Sequence, residues 1–153
     1  MNTARHVRPR PAAPGAMRRV LLVDGNVHVL HAMKSSLDRH GYEVDTALAT
    51  DFARALYRES RHDVVIVDGD AHGSGGEALA ASLVGGEGPG APDGADAPLV
   101  IVIGGRGVER GEGGSGEDDP APERWSKPVS LRYLVARLSE HFGHYDLSLG
   151  APG

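Results

Sequence analysis

Three short, unbroken apolar runs divide the chain, and turn-forming or acidic residues close each one. Val20-Leu21-Leu22-Val23 ends in Asp24-Gly25-Asn26, Asp63 to Val67 (DVVIV) ends in Asp68, and Leu99 to Ile103 ends in Gly104-Gly105. Continuous runs of this length are how strands buried on both faces of a parallel sheet read in sequence. A weaker strand is predicted over Tyr42 to Ala47, where Tyr42, Val44 and Thr46 alternate. The segments between change to helical spacing. From Val27 to Arg39, Leu30, Met33 and Leu37 lie on one face, and Gly41 stands where a C-cap belongs. Asp51 to Ser60 is helical through Phe52, Ala55 and Leu56, and a short helix is expected near Glu77 to Val84. The last helix, Leu131 to Phe142, carries the stripe Leu131, Leu134, Val135, Leu138 and Phe142 behind Ser130 as N-cap. A short fifth strand is predicted around Arg124 to Ser126, closed by Lys127-Pro128.

The order is therefore βαβαβαβ, an interruption, then βα. Strands alternating with helices imply a doubly wound α/β domain, a parallel sheet covered on both faces. That domain spans about 18–143. Residues 1–17, with Pro9, Pro11 and Pro14, read as a disordered tail, and Met17 is a second candidate start. Residues 144–153 read as a C-terminal tail. The stretches 85–97 and 104–123 are rich in Gly, Pro and acids and have no periodicity, so both are expected to be loops. The helix that should follow the fourth strand is thus degenerate or missing.

Composition narrows the function. A chain of 153 residues suits one domain, and its core must be aliphatic, because hydrophobic residues make up 40% but aromatic ones only 5%. The net charge of −5 argues against direct DNA binding, which needs a clustered positive footprint. With no cysteine, disulfides, zinc–thiolate sites and thiol catalysis are excluded. No apolar run approaches the roughly 20 residues that span a bilayer. No apolar stretch follows the basic N-terminus as a signal peptide requires. A soluble cytoplasmic protein without membrane contact is the expectation.

The chemistry gathers at three strand ends. Asp24, Asp68 and Lys127 are far apart in sequence, yet a parallel sheet delivers all three to one edge, where sites form near a topological switch point. Two neighbouring carboxylates repel each other and favour a hard divalent cation such as Mg²⁺. An aspartate carboxylate can attack phosphorus to give an acyl phosphate, and a metal ion and a lysine neutralise charge on the phosphoryl oxygens.

VLLVDGN, DVVIVDGDAHGSGGEAL and WSKPVSLRYLVARL resemble the three signature segments of response-regulator receiver domains of bacterial two-component systems. The likeness covers about residues 18–143. It implies a flavodoxin-like (CheY-like) sheet of five parallel strands and a signalling module that is not an enzyme. It implies Asp68 as the phosphoacceptor, Lys127 as the phosphate-pairing residue, and Asp24 with Asp68 as Mg²⁺ ligands. It also implies a histidine kinase or phosphotransfer protein as donor. With no effector domain after Phe142, output is expected through a downstream protein partner. The glycine after the phosphoacceptor loop maps to Gly73 or Gly76. Several positions depart from the family pattern. Gly25 replaces the second acid of the pair, no hydroxyl stands at Ile103 to Gly105, and Arg124 replaces the switch aromatic, with Trp125 one position later on the other strand face. Asn26 and Asp70 are the oxygen donors near enough in sequence to substitute.

Two other function classes follow from the same residues. One is a pseudo-receiver, a docking module that works without phosphorylation, which Gly25 and Gly104 favour. The other is a flavodoxin-like nucleotide or flavin binder, which the acidic Asp24-Gly25-Asn26 turn disfavours by repelling phosphate. Gly105-Arg106-Gly107 lacks the spacing and following helix of a phosphate-binding loop. The pairs His28/His31 and His141/His144 sit at helical spacing without a third ligand and are expected to be surface histidines.

Overall fold

The computed structural model describes residues 17–71, 75–84, 98–105 and 122–142. The expectations for the two tails, for the loops over 85–97 and 106–121, for a degenerate fourth helix, and for Gly73 and His144 lie outside these residues.

Five strands, β1 (Arg19–Val23), β2 (Glu43–Ala47), β3 (Val64–Asp68), β4 (Leu99–Ile103) and β5 (Glu123–Trp125), form one sheet in the order β2-β1-β3-β4-β5. Every neighbouring pair is parallel. Among the described residues four helices cover it: α1 (Val27–Arg39), α2 (Thr50–Ser60), α3 (Gly75–Val84) and α4 (Leu131–Phe142). No helix among them is long and apolar enough to cross a membrane.

The unbroken apolar runs are explained by the two layers. In β1, Val20 and Leu22 face one layer while Leu21 and Val23 face the other. Val64 and Ile66 oppose Val65 and Val67 in β3, and Ile101 opposes Val100 and Val102 in β4, in the same way. The first layer is closed by Leu30, Met33 and Leu37 of α1 and by Leu134, Val135, Leu138 and Phe142 of α4. The second is closed by Ala53 of α2 and by Leu79, Ala80 and Leu83 of α3. Alternate residues of a strand point to opposite faces, so a strand between two helical layers must be apolar throughout.

The helix ends follow local chemistry. Asn26 caps α1, its side-chain oxygen accepting from the His28 and Val29 amides. Gly41 stands just past α1 at φ +88°, and the Tyr42 amide donates back to the Leu37 carbonyl. Ser130 caps α4 by accepting from the Tyr133 amide.

Some boundaries differ from the sequence pattern. Tyr42 precedes β2 instead of opening it: it turns inward, only 4% exposed, with its ring 6.3 Å from that of Phe142. β5 ends at Trp125, one residue earlier than expected, because Ile103, the last residue of β4, pairs with Trp125. Helix α3 starts two residues before Glu77 despite the poor helix propensity of Gly75-Gly76. A Cβ at Gly76 would stand 2.2 Å from the Asp68 carbonyl oxygen, so the close approach of α3 to β3 requires glycine there.

The two-layer core makes a simple stability prediction. Leu138 is fully buried, and Leu138→Ala should lower the unfolding free energy by about 3 kcal/mol. Lys34→Ala removes only the exposed pair Lys34–Asp38, at 2.8 Å, and should cost less than ~0.5 kcal/mol. Denaturant titration of both variants measures the contrast; equal losses would contradict it.

Candidate functional site

The strand order places β1 and β3 side by side, with β2 on one flank and β4 and β5 on the other. The direction of winding reverses between β1 and β3, and both strands run out into an aspartate at the reversal. Asp24 follows β1, its amide donating to the Ala47 carbonyl at 3.1 Å. Its Oδ1 accepts from the Asn26 amide at 2.8 Å, which tightens the turn into α1. Asp68 is the last residue of β3; its side chain is 11% exposed, and its Oδ1 accepts from the Asp70 amide at 3.0 Å.

Lys127 reaches this point from the loop after β5, and the Lys127–Pro128 bond that follows it is cis. Its Nζ lies 3.0 Å from Asp68 Oδ1 and 3.3 Å from Asp70 Oδ2. The sequence-predicted trio of Asp24, Asp68 and Lys127 thus occupies one sheet edge, and Asp70 joins it. These contacts shift two ionisations. Lys127 is held above the ordinary lysine value, chiefly by its hydrogen bond to Asp68, with Asp70 adding to it against a cost of desolvation. The carboxyl of Asp24 is pushed above the usual 3.8 by burial first; the Asn26 amide opposes this, the Asp68 charge adds to the rise, and Lys127 pulls the other way.

A pair of glycines forms the far wall. Gly104 and Gly105 follow β4 at φ +72° and +85°, in the region that favours glycine. The Gly104 amide donates to the Trp125 carbonyl at 2.8 Å, and the Ile103 carbonyl accepts from Gly69 at 2.9 Å. The Gly105 amide donates to Asp70 Oδ2 at 3.4 Å. A Cβ at Gly104 would lie 2.9 Å from Asp70 Oδ2 and 3.0 Å from Lys127 Cε. A hydroxyl residue at this position would therefore displace the Asp70–Lys127 contact.

The remaining candidates separate cleanly. Gly25 is exposed, with nothing within 4 Å of where its Cβ would stand. Asn26 spends its side-chain oxygen on two α1 amides, so the neutral donor suggested by the sequence is already engaged. His28 and His31 are exposed on α1, and no group of three or more His, Asp or Glu among the described residues is placed to hold a metal ion. His141 packs edge-on against the Phe142 ring at 4.8 Å.

Two pairings carried no sequence signal. Arg124 Nη1 and Nη2 donate to Glu77 Oε2 and Oε1 at 2.9 and 2.8 Å, a forked contact between β5 and α3. His62, fully buried, places Nε2 2.7 Å from Asp45 Oδ2 and stacks on Tyr57. Its partners are set by the β2 edge and the loop before β3, which no spacing rule connects.

No protein-family model matches the chain, and no curated protein matches it. Solved structures do. A CheY-like response-regulator receiver domain protein from Methanospirillum hungatei is 22% identical, covers 82% of this chain and 93% of its own, and superposes with a TM-score of 0.61. A signal receiver domain from Bermanella marisrubri is 18% identical over 84% of this chain and all of its own, at 0.65. The chemotaxis response regulator CheY4 of Vibrio cholerae is 20% identical over 82% and 99%, at 0.60. The chain has the receiver-domain fold. The flavodoxin-like, CheY-like sheet of five parallel strands expected from the sequence is present, and the receiver fold places Asp24, Asp68 and Lys127 at one edge.

The raised pKa of Asp24 gives a signed prediction. At neutral pH its ionised carboxylate is less favourable in the folded chain than in the unfolded one, so its charge costs stability there. That cost fades as pH falls through the raised folded value. Asp24→Asn keeps an oxygen for the Asn26 amide and should raise the unfolding free energy at pH 7 in metal-free buffer. Below the range where Asp24 protonates the gain should vanish. Thermal melts across pH check this; a loss of stability at pH 7 would contradict it.

Proposed function

We propose that the chain is a phosphate-accepting response regulator, with Asp68 as the acceptor and signalling by protein–protein contact. The observation that carries this reading is the 3.0 Å contact of Lys127 with a mostly enclosed Asp68 at the topological switch of a receiver fold. A carboxylate oxygen of Asp68 attacks phosphorus, the bond from phosphorus to the donor's leaving group breaks, and an acyl phosphate forms. Lys127 is already within reach of the new phosphoryl oxygens and neutralises part of their charge. The donor is a histidine kinase or a phosphotransfer protein, and the phosphorylated face is read by a downstream protein partner. The added charge biases the local equilibrium around the pocket.

Mg²⁺ fits this pocket in a limited way. Asp24 and Asp68 supply two acidic oxygens whose mutual repulsion a cation relieves. Mg²⁺ is commonly held by one or two carboxylates with water and phosphate oxygens completing its shell. When bound, it would supply charge neutralisation to the transferring group. Gly25 withholds the third acid, so affinity without phosphate is expected to be low.

A second reading, the phosphorylation-independent docking module, is favoured by the Asp70–Lys127 contact over Gly104. There a carboxylate of the chain already sits where the lysine would meet phosphate.

Intact mass after treatment with acetyl phosphate, with and without Mg²⁺, separates the two. The expected result is a Mg²⁺-dependent gain of one phosphoryl group that Asp68→Asn abolishes. No gain in any condition would leave the docking module. Because a side chain at position 25 meets open space, Gly25→Asp should tighten Mg²⁺ binding about tenfold, roughly 1.4 kcal/mol. Titration calorimetry measures it, and unchanged affinity would show that position 25 does not face the metal.

A further inference from the structure

Arg124 stands on the strand face opposite Trp125, in register with Val102, and so on the side of the sheet where α3 packs. Glu77 lies in the first turn of α3 and meets it through both carboxylate oxygens. The pair is about three-quarters enclosed, with side-chain exposures of 29% and 24%, and a guanidinium fork fixes direction as well as distance. It also lies over the glycine corner. A Cβ at Gly105 would fall 2.4 Å from Glu77 Oε2 and 3.1 Å from Gly69 Cα, so the corner is clasped between the Glu77 carboxylate and the chain just after Asp68. The amide of that same Gly105 points at Asp70 Oδ2, the oxygen that Lys127 also binds.

We infer that Glu77 and Arg124 are positioning residues for the Asp68 pocket, their ion pair fastening the Gly104–Gly105 corner so that the Gly105 N–H faces the phosphoryl position. The inference rests on the reading of Asp68 as phosphoacceptor. Two glycines in succession have no side chains to anchor them, and their backbone freedom is the largest of any residue. A fixed N–H donor stabilises developing phosphoryl charge only if it need not reorganise during the reaction. The pair serves a second end as well. Glu77 adds a negative charge to an edge already carrying Asp24, Asp68 and Asp70, and Arg124 cancels it, so the incoming phosphate meets less repulsion.

The test combines two readouts on the full chain. Backbone order parameters of Gly104 and Gly105 report the fastening without phosphate, and initial rates with acetyl phosphate report the pocket. Wild type should give order parameters of about 0.85 at both glycines, and Arg124→Gln should drop them below about 0.6. The phosphorylation rate should fall about tenfold in Arg124→Gln, as expected for loss of one charge-assisted contact. The charge-exchanged double variant Glu77→Arg/Arg124→Glu should recover most of both. Arg124→Lys, which keeps the charge but loses the fork, should fall between. A rigid corner in Arg124→Gln, or an unchanged rate beside a loosened corner, would overturn the inference. A wild type that takes up no phosphate sinks the phosphoacceptor reading. The order parameters still decide the fastening in that case: a loosened corner supports it, and a rigid one overturns it.

Discussion

A parallel sheet delivers every strand's C-terminus to the same edge, and the pocket in this chain is a consequence of that constraint. With the order β2-β1-β3-β4-β5, Asp24, Asp68, Gly104 and Lys127 arrive at one edge from four separate stretches of sequence. The edge is held in place by apolar packing on both faces of β1, β3 and β4, in which no polar side chain interrupts the runs from Val20 to Val23 or Leu99 to Ile103. The acids therefore stand at the boundary between a dry sheet and solvent. That boundary accounts for both shifted ionisations: burial and like charge raise Asp24, and carboxylate partners raise Lys127.

Two cations organise the negative charge at this edge. Lys127 divides its ammonium between Asp68 and Asp70, and Arg124 neutralises Glu77. Between them runs the Gly104–Gly105 corner, with one carboxylate lying over each glycine. The receiver pattern places a hydroxyl and an aromatic in this region; here a glycine and an arginine stand in those positions. The substitutions are mutually consistent. A Cβ at Gly104 would collide with the Asp70–Lys127 contact, and an aromatic at position 124 would leave Glu77 without its forked partner. Where the receiver pattern has a hydroxyl and a ring, this corner carries two ion pairs, Asp70–Lys127 and Glu77–Arg124.

Much of the fold was legible because its signals are local. The unbroken apolar runs encode a doubly covered sheet, and Asn26, Gly41 and Ser130 mark helix ends through hydrogen bonds within a few residues. The convergence of Asp24, Asp68 and Lys127 was legible because strand order alone implies it. What sequence could not reveal was set by contacts across elements. The early start of α3 depends on the close approach of Gly76 to the Asp68 carbonyl, and Tyr42 turned inward because Phe142 awaits it. The pairs Glu77–Arg124 and His62–Asp45 join residues that no periodicity relates. Of the two glycines Gly73 and Gly76, only Gly76 lies among the described residues, and there the backbone approach admits no side chain.

In the proposed function one carboxylate of this crowded acidic edge, Asp68, takes the phosphate. The most direct measurement traps the acyl phosphate itself: protein treated with acetyl phosphate and Mg²⁺ is reduced with borohydride, which converts a phosphorylated aspartate to homoserine, and peptide mass mapping then locates the change. Homoserine is expected at position 68 alone. Homoserine at position 24 or 70 instead, or at none of the three, would contradict it.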